Sequence, residues 1–214
     1  MAFRVGVLVS GAGTNLQAIL DSVHGRDGIE VVGVASSTPQ AGGLERARAA
    51  GVESGVFEIA AHADRARRDR ALGDWLEERR VDLVVLAGFM ELLGPELIRR
   101  FQGRIINVHP SLLPAFPGVR SIQQAFDHGV KVTGVTIHFV DEEVDSGPVV
   151  LQEAIDLSYP SVIAEVEDRV HGVEHRLLPQ AIRLIASGRV HLNPENPRQV
   201  RIEADDGDTR GQGG

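Results

Sequence analysis

An open, doubly wound α/β fold is predicted, with a mostly parallel sheet, helices on both faces and an antiparallel addition near the C-terminal part. Three observations predict it. Short apolar runs alternate with segments of helical spacing through the first half of the chain, the βαβ pattern of parallel sheets. The runs are apolar on both faces, as strands covered by helices on each side must be. After Gly129 the pattern shifts to two long β-rich runs joined by a short turn, which suits an antiparallel pair.

In chain order, the apolar run at 3–9 predicts a strand, and the spacing at 15–23 a helix entered through Gly11 and Gly13. A strand over 29–35, a helix over 43–50, a strand over 55–59, a helix over 65–79 and a strand over 83–87 continue the alternation. A short helix over 96–101 and a strand over 104–108 follow. Pro110 ends that strand and opens a Pro/Gly-rich loop to Gly118, after which 121–128 reads as a helix. The β-rich runs are 132–140 and 149–155, with the acidic turn 141–148 between them. Residues 161–186 have helical spacing, with Pro179 expected to bend or split the helix. The runs 190–192 and 200–202 are expected to form a last small strand pair.

With 214 residues and 43% hydrophobic content, one large core and a single domain over 1–202 are expected. Its two halves are 1–100 and 101–202. Residues 203–214 contain nothing apolar larger than alanine and are expected to be a solvated, disordered tail. Basic residues number 22, Lys131 the only lysine, against 30 acids, for a net charge of −8. No basic stripe exists for a nucleic-acid backbone. The absence of cysteine excludes disulfides, thiolate metal sites and cysteine nucleophiles, and fits the cytoplasm. The first apolar run is broken by Gly6 and is too short for a signal peptide or a membrane span, so neither is expected.

The most informative stretch is Asn107-Val108-His109-Pro110-Ser111-Leu112-Leu113-Pro114. Two residues apart at a strand end, Asn107 and His109 project to one side, and the carboxyl ends of parallel strands are where doubly wound folds bind ligands. A fixed amide holds a developing oxyanion, and imidazole moves protons near neutral pH. The acidic turn places Asp145 where it could fold over that edge, orient the ring and favour imidazolium. Spacing alone also allows a structural histidine and an ordinary turn aspartate.

The loop Ser10-Gly11-Ala12-Gly13-Thr14-Asn15 joins a strand to a helix, the arrangement in which backbone N–H groups and the positive helix end meet an anion. Leu16 stands where a dinucleotide fingerprint needs its third glycine, and no Walker lysine follows. A small phosphate cradle remains, with Thr14 and Asn15 as further donors. His171-Gly172-Val173-Glu174-His175 fits H-x-x-E-H, but no third ligand stands at a recognisable spacing and no metal is expected. His138, inside a strand run, is expected to be structural or to support a neighbour. Arg65, Arg67, Arg68 and Arg70 open a helix that its dipole would begin with acids, and most are expected on a solvated face. Phe89-Met90-Glu91-Leu92-Leu93 at a strand's carboxyl end offers an apolar wall to a flat aromatic ligand.

Residues 10–15 read S-G-x-G-[ST]-N, 43–47 read G-L-E-R-A, 85–90 read V-L-A-G-F-M, 107–114 read N-x-H-P-S-L-L-P and 145–148 read D-x-G-P. With these motifs the chain resembles the phosphoribosylglycinamide formyltransferases of the folate-dependent formyltransferase superfamily. The resemblance implies formyl transfer from 10-formyltetrahydrofolate to the amine of glycinamide ribonucleotide, a step of purine synthesis. It assigns Gly13, Thr14 and Asn15 to the substrate phosphate and Glu174 to its ribose. Arg65, Met90, Glu91, Leu92, Leu93, Asn107, Val140 and Asp141 fall to the folate, and Asn107, His109 and Asp145 to catalysis. The implied partners are small molecules, with no metal, nucleic acid or membrane, and a homodimer stays open. Two other readings also stay open: a formyltransferase for a different amine, and a non-catalytic binding module on the same fold.

Overall fold

A computed structural model describes residues 1–158 and 162–204. Its main sheet contains β1 (Phe3–Val9), β2 (Ile29–Ser36), β3 (Ser54–Val56), β4 (Leu83–Leu86), β5 (Ile105–His109), β6 (Val132–Phe139) and β7 (Val149–Asp156), in the order β3-β2-β1-β4-β5-β6-β7. The first five strands pair parallel, and β6 and β7 add antiparallel. The helices are α1 (Thr14–Ser22), α2 (Gly42–Ala49), α3 (Arg65–Glu78), α4 (Pro95–Arg100), α5 (Ser121–Asp127) and α6 (Ile163–Ala186). A separate antiparallel pair, β8 (Val190–Leu192) with β9 (Val200–Ile202), stands beside them. This is the doubly wound class that the alternating runs predict.

Side-chain alternation along each strand divides the core into two layers. Val5, Val7 and Val9 of β1, Leu83 and Val85 of β4, and Ile106 and Val108 of β5 pack with Leu16, Ile19, Val170 and Leu178 of α1 and α6. Leu8, Val84, Leu86 and Ile105 face the other way, onto Leu72, Leu76, Leu97 and Ile98 of α3 and α4. Asn107 and His109 continue the side begun by Ile105. The strand period therefore aims both polar side chains to one face, as their spacing predicts.

Between β1 and β4 the strand order reverses direction, because β2 and β3 lie to one side of β1 and all later strands to the other. Loops leaving the carboxyl ends of β1 and β4 diverge there and open a crevice, the usual ligand position of such sheets.

Two element expectations are corrected. The strand expected over 55–59 is only Ser54–Val56, followed by a 3-10 turn over Ile59–Ala61. At the sheet edge β3 has a ladder to β2 alone, and Phe57 instead packs edge-on against Trp75 at 5.6 Å. Pro179 does not split α6. Val166 and Val170 before it and Ala181 and Ile182 after it are all buried in one core, and packing along both halves outweighs the lost hydrogen bond. The expected helix start at 161 and all of the expected 203–214 tail from 205 onward lie outside the described residues. Glu203, expected in that tail, is instead held to Arg189, whose carbonyl accepts its N–H at 3.0 Å and whose Nε donates to its carbonyl at 2.8 Å.

Candidate active site

A cavity of about 890 Å³ opens at the carboxyl ends of β1, β4 and β5. Residues 11–15, His171 and Glu174 line it from the α1/α6 side, and Arg65 and residues 89–93 from the α3/α4 side. Asn107, His109, Val140, Asp141 and Asp145 complete it. Every candidate residue expected from the sequence thus borders one space.

The glycine loop owes its shape to close packing. Gly13 precedes α1 with φ 74°, and a Cβ there would lie 2.6 Å from the Gly43 Cα of α2. Arg46 ties the two elements together, its Nε donating to the Ala12 carbonyl at 2.8 Å and its Nη1 to Gln17 Oε1 at 3.0 Å. The first-turn N–H groups of α1, which have no intrahelical partner, then face the cavity with the positive end of the helix. Asn15 is also tied to α6: its buried Nδ2 donates to Glu174 Oε2 at 3.0 Å, which braces α1 against α6.

Of the H-x-x-E-H pair, His171 Nδ1 donates to the same Glu174 oxygen at 3.0 Å, and the His175 ring stacks on His171 at 6.2 Å. That bond to Glu174, followed by the nearby carboxylates and opposed by partial burial, raises the His171 pKa. Among the described residues no three His, Asp or Glu side chains are grouped so as to hold a metal ion.

At the end of β5, His109 Nδ1 lies 3.3 Å from Asp145 Oδ2, while Nε2 lies 2.9 Å from the Phe116 carbonyl and 3.1 Å from Ser121 Oγ. Both ring nitrogens face oxygen acceptors, an environment that imidazolium satisfies with both of its N–H groups. Ser121 can receive one because its own hydroxyl donates to the Gly118 carbonyl at 3.1 Å. Asn107 stands directly across from His138 in the β5–β6 ladder. Its Nδ2 lies 3.2 Å from His138 Nε2 and 3.5 Å from Asp145 Oδ1. The second contact is long, which leaves one amide N–H weakly held.

Asp145 is therefore the hub. Burial opposes its ionisation, but the His138 ring 3.6 Å from Oδ1, the hydrogen bond from the Gly118 amide to Oδ2 and the charge of His109 hold its pKa below the ordinary carboxylate value. The turn that brings it there is tight: Asp145 has φ 52°, and a Cβ on Gly147 would collide with the Phe139 carbonyl oxygen. The D-x-G-P motif is thus a steric requirement of this turn as well as a carrier of the carboxylate.

With this geometry, residues 3–182 match the family model described as Formyl transferase. The chain belongs to the formyl transferase family. Among the family's members, the phosphoribosylglycinamide formyltransferase of Haemophilus influenzae is 40% identical over 190 residues, covering 88% of this chain and 90% of that protein. The trifunctional purine biosynthetic protein adenosine-3 of Bos taurus is 42% identical across 94% of the chain, which spans only 20% of that relative's length. The crystal structure of glycinamide ribonucleotide transformylase 1 from Symbiobacterium toebii has a TM-score of 0.89 at 47% identity, with 94% of each chain covered.

Several side chains of this formyl transferase family site escape sequence reasoning. His138, expected to be structural or to support a neighbour, is brought to Asn107 and Asp145 by strand register, so its particular partners are encoded by no local motif. Ser121 reaches His109 only because the 110–120 loop folds back. Arg68 is fully buried, against the solvated face expected for most of the helix-opening arginines. Its position four and eight residues before Leu72 and Leu76, on the buried stripe of α3, is the signal that marks it. Glu91 lines the cavity as expected, but its Oε2 is 3.2 Å from Arg68 Nη1.

Proposed function

We propose that the chain transfers the formyl group of 10-formyltetrahydrofolate to the amine of glycinamide ribonucleotide, giving formylglycinamide ribonucleotide and tetrahydrofolate. The observation that carries this reading is the convergence of Asn107, His109 and Asp145 in one cavity with the glycine loop before α1. The likeness to the H. influenzae and S. toebii proteins supports it. The ribonucleotide phosphate meets Gly13, Thr14 and Asn15 at the start of α1, with Glu174 toward its ribose. Arg65, the wall 90–93, Val140 and Asp141 receive the folate. In this reading 1–202 is one domain, its first half supplying the phosphate site and its second the formyl-transfer chemistry. The reaction is cytoplasmic, between small molecules, and its steps use protein side chains rather than a metal.

The amine attacks the formyl carbon, and the carbonyl oxygen takes up the electron pair as a tetrahedral oxyanion. The weakly held N–H of Asn107 and the Nε2–H of His109, released from the Phe116 carbonyl, hold that oxyanion. As the C–N bond to the folate breaks, its nitrogen receives a proton and the amine loses one, through His109 or a water it orients. Asp145 against Nδ1 stabilises positive charge on the ring throughout. A spectrophotometric assay of folate release tests the reading: release that requires glycinamide ribonucleotide is expected. Binding of both ligands with no transfer would leave a binding module instead.

A further inference from the structure

The apolar wall has no helix or strand of its own between β4 and α4, so side chains must hold it in place. At its start, Ser10 Oγ accepts the Met90 N–H at 2.9 Å. At its end, Asp69 Oδ2 accepts the Gly94 N–H at 2.6 Å. Arg68 holds the part between. Its fully buried guanidinium makes a 2.6 Å ion pair with Asp69, a 3.2 Å ion pair with Glu91 and a 3.3 Å hydrogen bond to the Leu92 carbonyl, and lies 5.7 Å from the Phe89 ring centre. A buried guanidinium is costly to desolvate, and an apolar side chain would fill this volume at lower cost. Here the charge has a partner that matters: Glu91 is the acid of the wall, and it borders the cavity.

We propose that Arg68 is a positioning residue for the folate half of the site, acting from behind the wall without touching a ligand. It fixes Phe89, Glu91 and Leu92 in place and, shared with Asp69, offsets part of the charge of Glu91, which would otherwise face in full a co-substrate bearing the carboxylates of its glutamate tail. The proposal rests on the folate reading given above. It predicts an effect confined to the folate, since the ribonucleotide cradle is built by α1, α2 and α6.

The test is a double-mutant cycle of Arg68→Met, Glu91→Gln and both together, with dissociation constants for tetrahydrofolate and for glycinamide ribonucleotide measured by calorimetry on the full chain. Arg68→Met should weaken tetrahydrofolate about tenfold, because Glu91 at the cavity wall and Asp69 behind it both lose their cation, and change the ribonucleotide by less than about twofold. The double variant should recover to within about threefold of the unmodified protein. A merely structural Arg68 gives no such recovery, or a parallel loss for both ligands, and either result overturns the proposal. Should Arg68→Met not fold, Arg68→Lys keeps the charge but loses the fork that reaches Glu91 and Leu92 together. It should then weaken tetrahydrofolate alone, and unchanged affinity overturns the proposal. An unmodified protein that binds no tetrahydrofolate overturns the folate reading itself. Binding by the unmodified protein that every variant preserves overturns only the role of Arg68.

Discussion

Asp145 touches His109, His138, Asn107 and the Gly118 amide at once, so one carboxylate sets the orientation of every polar group at the end of β5. On the proposed mechanism, replacing Asn107 or His109 with alanine removes one oxyanion donor and should lower turnover by about a hundred- to a thousandfold with KM values little changed, as steady-state kinetics will measure. Asp145 has a pKa held below the ordinary carboxylate value, so its stabilising contribution is present above that ordinary value and is lost as pH falls through the lower native one. Urea unfolding should therefore show Asp145→Asn less stable than the unmodified protein at about pH 7, the gap narrowing toward about pH 3. His171 has the opposite sign. Its pKa is raised by Glu174, so what it contributes is present below the ordinary histidine value and lost as pH rises through the raised one. Urea unfolding from about pH 6 to about pH 9 should show the unmodified protein more stable than His171→Gln at the acid end, the gap narrowing as pH rises.

The elements that present these residues differ in how far their sequences fix them. β1, β4 and β5 read as strands because both faces are apolar and both are covered. The proposed phosphate cradle depends on the start of α1, where Gly13 combines a left-handed φ of 74° with close approach to Gly43. Gly13→Ala should cost about 1–3 kcal/mol in urea unfolding and raise the ribonucleotide KM more than that of the folate. The shortened β3 and the unbroken α6 were not legible locally, since edge pairing decides one and burial along a whole helix face decides the other. Asn107 and His109 were legible as a pair through the two-residue strand period. His138, which completes the group, depends on the register of β6 against β5.

At the scale of the molecule, two core layers share one sheet, and the cavity draws on loops from both halves of the chain. A single cooperative unit over 1–202 implies coincident urea transitions for Trp75 fluorescence and far-ultraviolet circular dichroism, while two separable transitions would divide the domain. The sequence by itself determined the parallel α/β class, the glycine turn, the Asn-x-His strand end and the acidic turn, because each is encoded by local periodicity or by the conformational limits of glycine and proline. Only the tertiary structure decided that Asn15 reaches Glu174 across 159 positions, that Asp145 closes on His109, and that Arg68 lies buried behind the wall. Contacts between distant segments follow from strand order, register and the packing of whole layers, and no stretch of chain carries that information alone.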